Sequence, residues 1–453
     1  MNATTDEERH QETLEGLKLA IEQQDDAAVS DLIESLHPAE VASLLESLPL
    51  RDRDIVWEQL DAEQHGDVLA EAEDAVRAQR MVRMDAKDLA VVATGVDVDD
   101  AADILQDLPS ELVEEVLQAM DDQDRRRLES VLEYAEDTAG GLMDTDVITV
   151  RADVTLETVA RYLRRRGEIP EKTNRLMVVD RDNRFVGVVR LADLLINDPS
   201  TVVNFIMDAE FPAIPARLTE HEVAMLFEQR DLISAPVIDD DGRLLGRITV
   251  DDVVDVIRDE GEHSLMSMAG LDEEEDMFAP VLDTARARAL WLGVNLATAL
   301  LASWVIGWFE GTLRQVVALA ILMPVVASMG GIAGSQALTV VIRGMALGQV
   351  GWSNAGFLML KELMVASLNS IVWALLVGAV AVAWFGDLRL GLIVGAALVI
   401  NLMVAALSGA GLPLVLKKLS IDPALAGGVI LTTVTDVVGF VVFLGLGTAF
   451  LLA

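Results

Sequence analysis

The sequence predicts a multidomain protein: an all-α N-terminal helical domain, an α/β domain built from a tandem repeat, and an all-α transmembrane domain of five helices. Three observations carry this reading. Charge and hydropathy change abruptly near Asp283, a segment between about residues 140 and 260 repeats itself, and the Leu/Ala/Val-rich stretch before it is broken by prolines that suit the first turns of new helices.

The helical segment runs from about residue 10 to 135, with breaks at LHPAE, SLPLRD and DLPSEL. The whole chain of 453 residues carries 74 acidic and 34 basic side chains, a net charge of −40. Only six of those acids and eight of those bases lie from Asp283 onward, leaving 68 acids against 26 bases in front, a net −42. The acidity therefore belongs entirely to the front portion. Such a field attracts cations and repels nucleic acid, so no nucleic-acid partner is expected, although a salt-rich cytoplasm selects for the same excess. Cysteine is absent, which removes disulfides and thiolate metal sites, and His10, His37, His65, His221 and His263 show no ligand spacing. The opening MNATTDEERHQETLEGL lacks the basic start and apolar stretch of a signal peptide, so the front portion is expected to remain cytoplasmic.

In the middle segment, short β-branched runs alternate with helical patterns. MVVDRDNRFVGVVRLADLL from Met177 aligns with PVIDDDGRLLGRITVDDVV from Pro236 at an offset of 59 residues, and Met143-Asp144 and Met207-Asp208 open the two copies. Both copies keep G-x-[VI]-x-x-x-D, at Gly187 to Asp193 and Gly246 to Asp252. This pattern resembles a tandem CBS module, a regulatory pair that often dimerises and often binds adenine nucleotides. The resemblance implies ATP as a ligand of the pair.

The second copy ends in VDDVVDVIRDEGEH, which places Asp251, Asp252, Asp255, Asp259, Glu260 and Glu262 on or near one helix. Capping and dipole complementarity account for one or two of these carboxylates but not for six. Carboxylates facing others across an interface repel unless a cation joins them, and hard cations such as Mg2+ take oxygen donors.

Behind Asp283 stand five apolar stretches, roughly 289–309, 315–342, 357–385, 390–416 and 424–452, each longer than the ~20 residues that cross a bilayer. With the first span entered from the cytoplasm, Arg286, Arg288, Arg343, Lys361, Lys417 and Lys418 fall inside and only Arg314 and Arg389 outside. The expected location is the inner (plasma) membrane, multi-pass, with the N-terminus cytoplasmic and the C-terminus outside. Six of the seven tryptophans lie in this portion, several near span ends.

Asp436 in LTTVTDVVGF lies about 18 Å along the last span, where an ionisable group is expensive and its default role is functional. The alternative is a protonated Asp in one interhelical hydrogen bond. Asp422 precedes it by 14 residues, close to four turns, so a continuous helix would carry both on about the same side. Thr432, Thr433 and Thr435 add hydroxyls nearby, and Gly427-Gly428 permit close helix approach. In MPVVASMGGIAGSQALT, Pro324, Gly330, Gly331 and Gly334 either bend the second span beside a polar cavity or serve small-residue packing. Asn295, Asn369 and Asn401 read as helix-to-helix hydrogen bonds rather than ion ligands.

DPALAGGVILTTVTDVVGF, MPVVASMGGIAGSQALTVVIRG and RARALWLGVNLATALLASWVIGWFE, standing behind a CBS pair, resemble the MgtE family of magnesium channels over nearly the whole chain. The resemblance implies a helical N domain over 1–137, a CBS pair over 138–258, a connecting helix over 259–284 and a five-helix pore domain over 285–453. It further implies a homodimer with its pore on the dimer axis and Mg2+ as the ion. Carried over by position, Asp436 is the pore ligand and Asp422 a cytoplasmic-mouth site. Asp252, Asp255 and Glu260 belong to a sensor interface, with Asp231 in the second CBS copy and Asp99, Asp103 and Asp67 in the N domain. The sequence departs from the family at Ile332, where many members have Asn, and at Thr219 and His221, where carboxylates occur and where Glu220 and Glu222 are candidate substitutes.

The expected function is Mg2+ conduction with negative feedback: Mg2+ bridges sensor carboxylates and closes the gate, and at low Mg2+ their repulsion opens it. The alternatives are transport of Co2+ or Mn2+ and a membrane-anchored CBS nucleotide sensor. No enzymatic activity is expected. An intramembrane aspartyl protease needs two deep carboxylates, and only Asp436 is deep, since WFGD ending at Asp387 lies at a span end.

Overall fold

Helices begin where the prolines and short polar caps of the sequence place them. The computed structural model describes residues 6–62, 64–106, 108–170, 172–271 and 276–452. Among them, ten helices precede the first strand: α1 (Asp6–Gln23), α2 (Asp26–Ile33), α3 (Pro38–Glu46), α4 (Leu50–Glu58), α5 (Gln64–Ala70), α6 (Asp74–Met81), α7 (Ala86–Gly95), α8 (Val98–Gln106), α9 (Ser110–Ala119) and α10 (Asp122–Leu132). Pro38 takes the first position of α3 behind a capping box of His37 and Glu40, while Pro49 and Pro109 are the N-cap residues of α4 and α9. Asp25, Asp85 and Asp121 cap α2, α7 and α10 by accepting backbone N–H bonds.

The chain divides into two compact units, Met1–Gly261 with Glu274–Pro280, and Glu262–Glu273 with Val281–Ala453. In the first unit, the early helices enclose Leu17, Val29, Leu44, Leu45 and Leu48. A second core joins Leu89, Ile104, Leu105 and Val116 of the later helices to Val223, Phe227, Val237 and Ile248 of the second repeat copy. The N-terminal helices and the second copy thus share one apolar interior.

Arg53 is fully buried in this unit and donates to the carbonyls of Leu45 and Leu48 at 2.7 and 2.8 Å. Its Nη1 and Nη2 grip Asp276 at 2.6 and 2.8 Å. Burial opposes the charge on Asp276, but the bonds from Arg53 and the Phe278 amide outweigh it and hold the carboxyl below its ordinary range. Asp276→Ala is expected to destabilise the unit by about 3 kcal/mol, because it strands a buried guanidinium. The depressed carboxyl stabilises above its unfolded value of about 4, and that contribution fades as pH falls through the folded value. Urea unfolding of wild type and variant across acid pH checks this: the difference should shrink below pH ~4.

The repeat builds two three-stranded sheets. β1 (Thr149–Arg151) pairs parallel to β2 (Arg175–Val179), which pairs antiparallel to β3 (Phe185–Arg190); α11 (Leu156–Arg166) crosses between β1 and β2, and α12 (Asp193–Ile196) follows. β4 (Ile214–Pro215), α13 (Glu220–Arg230), β5 (Ser234–Ile238) and β6 (Leu244–Thr249) repeat the arrangement. The 59-residue offset holds residue for residue in the register of the two hairpins: Arg175 faces Arg190 as Ser234 faces Thr249, and both hairpins bulge at the same place. Gly187 and Gly246 are required by close approach, since a Cβ would stand 2.6 Å from the carbonyl oxygen of Asp208 or Asp144 respectively, so each copy's glycine receives the opening Asp of the other.

Helix α14 (Val250–Ala269) leaves β6 and ends at Gly270, whose φ of +71° suits glycine. In the second unit, α15 (Val281–Gly307), α17 (Val317–Ala346), α18 (Ala355–Phe385), α19 (Leu388–Lys418) and α20 (Pro423–Leu451) are long and apolar enough to cross a membrane, with short α16 (Glu310–Gln315) after α15. Predicted span limits fall within a few residues of these, except that α15 starts eight residues earlier. α19 is central, packing against α17, α18 and α20, whereas α15 packs on α20 and leaves Leu290, Leu292 and Leu300 exposed. α17 stays helical through Pro324. Its Gly330 and Gly334 serve packing rather than opening: a Cβ on Gly334 would meet Leu431 at 2.8 Å, and one on Gly409 would meet the Gly334 carbonyl at 2.4 Å.

Candidate cation sites

In the membrane unit, α17 and α20 face each other across an open cavity of about 720 Å³. Asp436 and Thr432 of α20 line one side, and Ala327, Ser328, Gly331, Ile332, Ser335, Gln336, Thr339 and Val340 of α17 line the other. The polar atoms presented there are hydroxyl, amide and carboxylate groups, a donor set for a hard cation, and no lining residue is basic. Asp436 is half-buried, as a carboxylate with one aqueous side would be. Of the three threonines expected around it, only Thr432 lines the cavity; Thr435 is fully buried, and Thr433 donates back to the Val429 carbonyl at 2.7 Å. The helical phase explains this, because consecutive residues point about 100° apart. Ser328, Ser335, Gln336 and Thr339 were not singled out from the sequence, although Ser328, Ser335 and Thr339, spaced by seven and four residues, fall on one face of α17 and were a usable signal.

Asp422 is the N-cap of α20 rather than part of it. Its two oxygens accept from the Ala424 and Leu425 amides at 2.9 Å each, so the side chain folds over the helix start instead of projecting along Asp436's face. His263 Nε2 lies 3.5 Å from its Oδ2.

In the first unit, oxygens of Asp97, Asp99 and Asp100 all lie within 4.8 Å of one another at the start of α8. Asp99 is 8% exposed and its Oδ1 is buried without a hydrogen-bond partner. Its pKa is pushed well above the ordinary range by burial and by the charges of Asp252, Asp100, Asp144 and Asp97. Asp100 rises to about 7 through burial, Asp97, Asp252 and Glu71, and Asp252 to about 7 through burial and Asp251. Asp67 is raised by burial and Asp97, and Asp255 by burial with Asp259 and Glu71, against Arg258. Asp103 stands one turn after Asp99 on α8. These carboxylates converge from α5, α8 and α14, with the ion pair of Lys172 and Asp251 beside them. Mg2+ bound at about 2.1 Å spans about 4 Å between opposite ligands, so an orphaned oxygen in a cluster of this width fits an ion that keeps part of its water. Asp97, Asp100 and Glu71 were not singled out from the sequence.

A second acidic group surrounds Glu260, whose Oε1 lies 2.6 Å from His221 Nδ1. Glu220 is raised to about 6 by burial, Glu260, Asp137, Glu136 and Asp259. Glu222 instead completes the capping box with Thr219, so of the two candidate substitutes Glu220 is the one that faces Glu260. Asp231 is the exposed C-cap of α13, in the left-handed region.

Comparison with known proteins gives three family matches in chain order: "MgtE intracellular N domain" over residues 36–137, "CBS domain" over 139–198 and 203–259, and "Divalent cation transporter" (MgtE) over 323–446. The chain is similar to a magnesium transporter MgtE of Thermus thermophilus, 32% identical over 434 residues, covering 94% of this chain and 96% of that one. It is similar also to a magnesium transporter MgtE of Bacillus subtilis, 28% identical and covering 93% of each. A solved structure of the cytosolic domain of the Mg2+ channel MgtE in complex with ATP covers 54% of this chain and 99% of its own, at 32% identity and a TM-score of 0.49.

Proposed function

The chain belongs to the MgtE family of divalent cation transporters, and from that premise we propose that it conducts Mg2+ across the membrane along the α17–α20 cavity, with Asp436 as the pore ligand and the carboxylates of the first unit as its sensor. The observation that carries the reading is Asp436 itself, an acid in the middle of an apolar helix, facing a cavity lined by neutral oxygen and amide groups. A largely hydrated Mg2+ needs such a wall, since it releases water reluctantly. Entry needs no chemical fuel, because each charge gains about 2.3 kcal/mol per 100 mV of inside-negative potential.

The working orientation has the N-terminus cytoplasmic and the C-terminus outside the inner (plasma) membrane, supported by the six basic residues on the cytoplasmic side. The working assembly is a homodimer, supported by apolar side chains left exposed outside the spans, such as Leu195, Ile196 and Phe205. The domain limits 1–137, 138–258, 259–284 and 285–453 are retained as functional divisions. ATP belongs to the same proposal at the CBS pair. Arg175 and Arg190 stand opposite on β2 and β3, burial and Arg190 push the Arg175 guanidinium down, and its buried Nη1 has no acceptor, which a phosphate would supply.

Feedback follows from the sensor charges. Asp99, Asp100 and Asp252, with Asp67, Asp103 and Asp255 near them, repel when ionised and metal-free, and a bridging Mg2+ converts that repulsion into cohesion. Glu260 with Glu220 forms the second sensor group, and Asp422 takes the mouth position. Because Asp100 and Asp252 titrate near 7, Mg2+ binding at neutral pH displaces protons. Calorimetry in buffers of different ionisation enthalpy should show proton release near pH ~6.5 that diminishes as pH rises above about 7.

The test of transport is uptake by sealed proteoliposomes under an inside-negative potential. Mg2+ entry without added nucleotide, resisting competition from Co2+ and Mn2+, supports the reading. Preferential Co2+ or Mn2+ entry would replace the ion, and no flux of any divalent cation would favour an anchored sensor.

A further inference from the structure

Asn401 is completely buried in the middle of α19, behind the wall that carries Asp436. Its Nδ2 donates to the carbonyl of Val326 on α17 at 3.0 Å. The same amide is wedged against two bare glycines: a Cβ on Gly330 would stand 2.2 Å from Nδ2, and one on Gly439 of α20 would stand 2.9 Å from it. Gly330 immediately precedes cavity-lining Gly331, Val326 immediately precedes cavity-lining Ala327, and Gly439 lies one turn beyond Asp436. One amide therefore touches both walls of the cavity from behind, at the depth of its carboxylate.

Packing alone does not explain an asparagine here. Leucine has the same number and branching of side-chain heavy atoms and would leave no polar atom unmatched, whereas Asn401 Oδ1 is buried without a partner. What leucine could not do is bond the Val326 carbonyl and fix its rotamer between two glycines. We propose that Asn401 is a positioning residue for conduction: it sets the separation of α17 from α20 at Asp436, and with it the fit of the hydrated ion. This rests on the transport reading above and names a determinant of its selectivity.

The experiment measures Mg2+ flux in proteoliposomes of the full-length protein, wild type against Asn401→Leu, Asn401→Ser and Gly439→Ala. It records the Mg2+ concentration for half-maximal flux and the ratio of Mg2+ to Ca2+ flux, both independent of how much protein is active. Asn401→Leu and Gly439→Ala are expected to raise the half-maximal concentration several-fold and lower the ratio, with Asn401→Ser, which keeps a small donor, between them and wild type. A residue that merely holds helices together would reduce the amount of folded channel and leave both quantities alone. If Asn401→Leu fails to fold, the Ser and Gly439→Ala variants decide the matter by the same two quantities. Unchanged half-saturation and ratio in conducting variants overturn the inference while leaving the transport reading intact. Wild-type protein without flux removes both.

Discussion

Asp436→Ala is expected to lower Mg2+ flux by at least about a hundredfold while leaving the protein folded. Two unit charges 4 Å apart interact by about 4 kcal/mol at an effective dielectric of 20, and a divalent ion doubles that. Even a third of such a loss matches the ~2.7 kcal/mol that corresponds to a hundredfold change. Folding is not expected to suffer. A charged residue in mid-bilayer costs about 2.5–3.5 kcal/mol on insertion scales, Ala is the best helix former, and the neighbouring packing through Thr435 and Gly439 is untouched. Asp436→Asn should fall between, because the amide keeps one acceptor oxygen and loses the charge. Flux assays on proteoliposomes, with circular dichroism and size-exclusion profiles as the folding control, check the series. Flux preserved in Asp436→Ala would remove this residue from the path.

The second large effect concerns the sensor. Asp99→Asn with Asp252→Asn is expected to raise the cytoplasmic Mg2+ needed for closure by at least about tenfold, equivalent to 1.4 kcal/mol of differential affinity. Asp99 brings a buried, orphaned carboxylate oxygen and Asp252 a second carboxylate from α14, so the pair removes ligands from both α8 and α14 at nearly constant volume. The same substitutions should stabilise the metal-free protein at high pH. Acids whose folded pKa is raised bind more protons folded than unfolded, so wild-type metal-free stability falls as pH climbs from about 4 through about 7. Thermal unfolding in chelator against pH should show that decline in wild type and a flatter curve in the double variant. An equal decline in both would mean that these two acids are not the strained ones.

The order of domains, the repeat offset and the five spans were legible because each rests on local chemistry: prolines at helix starts, a periodic strand-turn-strand pattern, and runs of apolar residues. The glycines of the repeat were legible as a motif, but their cause, a carbonyl from the other copy 2.6 Å away, is tertiary. Asp436 stood out because a lone ionisable group in an apolar run is costly, and its default role is functional. Its neighbours Thr433 and Thr435 were misplaced because residues adjacent in sequence leave a helix in different directions. Asp231 was carried over by position, and its place as the left-handed C-cap of α13 was not legible from the residue type. Asp97, Asp100 and Glu71 were invisible among 74 acids, since what distinguishes them is that the fold brings their charges together with Asp252 of α14, not any local pattern. Arg53 and Asp276, 223 residues apart, could not be paired by any sequence rule.

The most direct test of the account is Mg2+ flux through wild-type protein and Asp436→Ala in oriented proteoliposomes, with Mg2+ varied separately on the two faces. The account predicts wild-type flux that falls as Mg2+ is raised on the face bearing the acidic first unit but not on the other, and flux at least about a hundredfold lower from Asp436→Ala. Flux that is indifferent to Mg2+ on that face, or that survives the loss of Asp436, would contradict it.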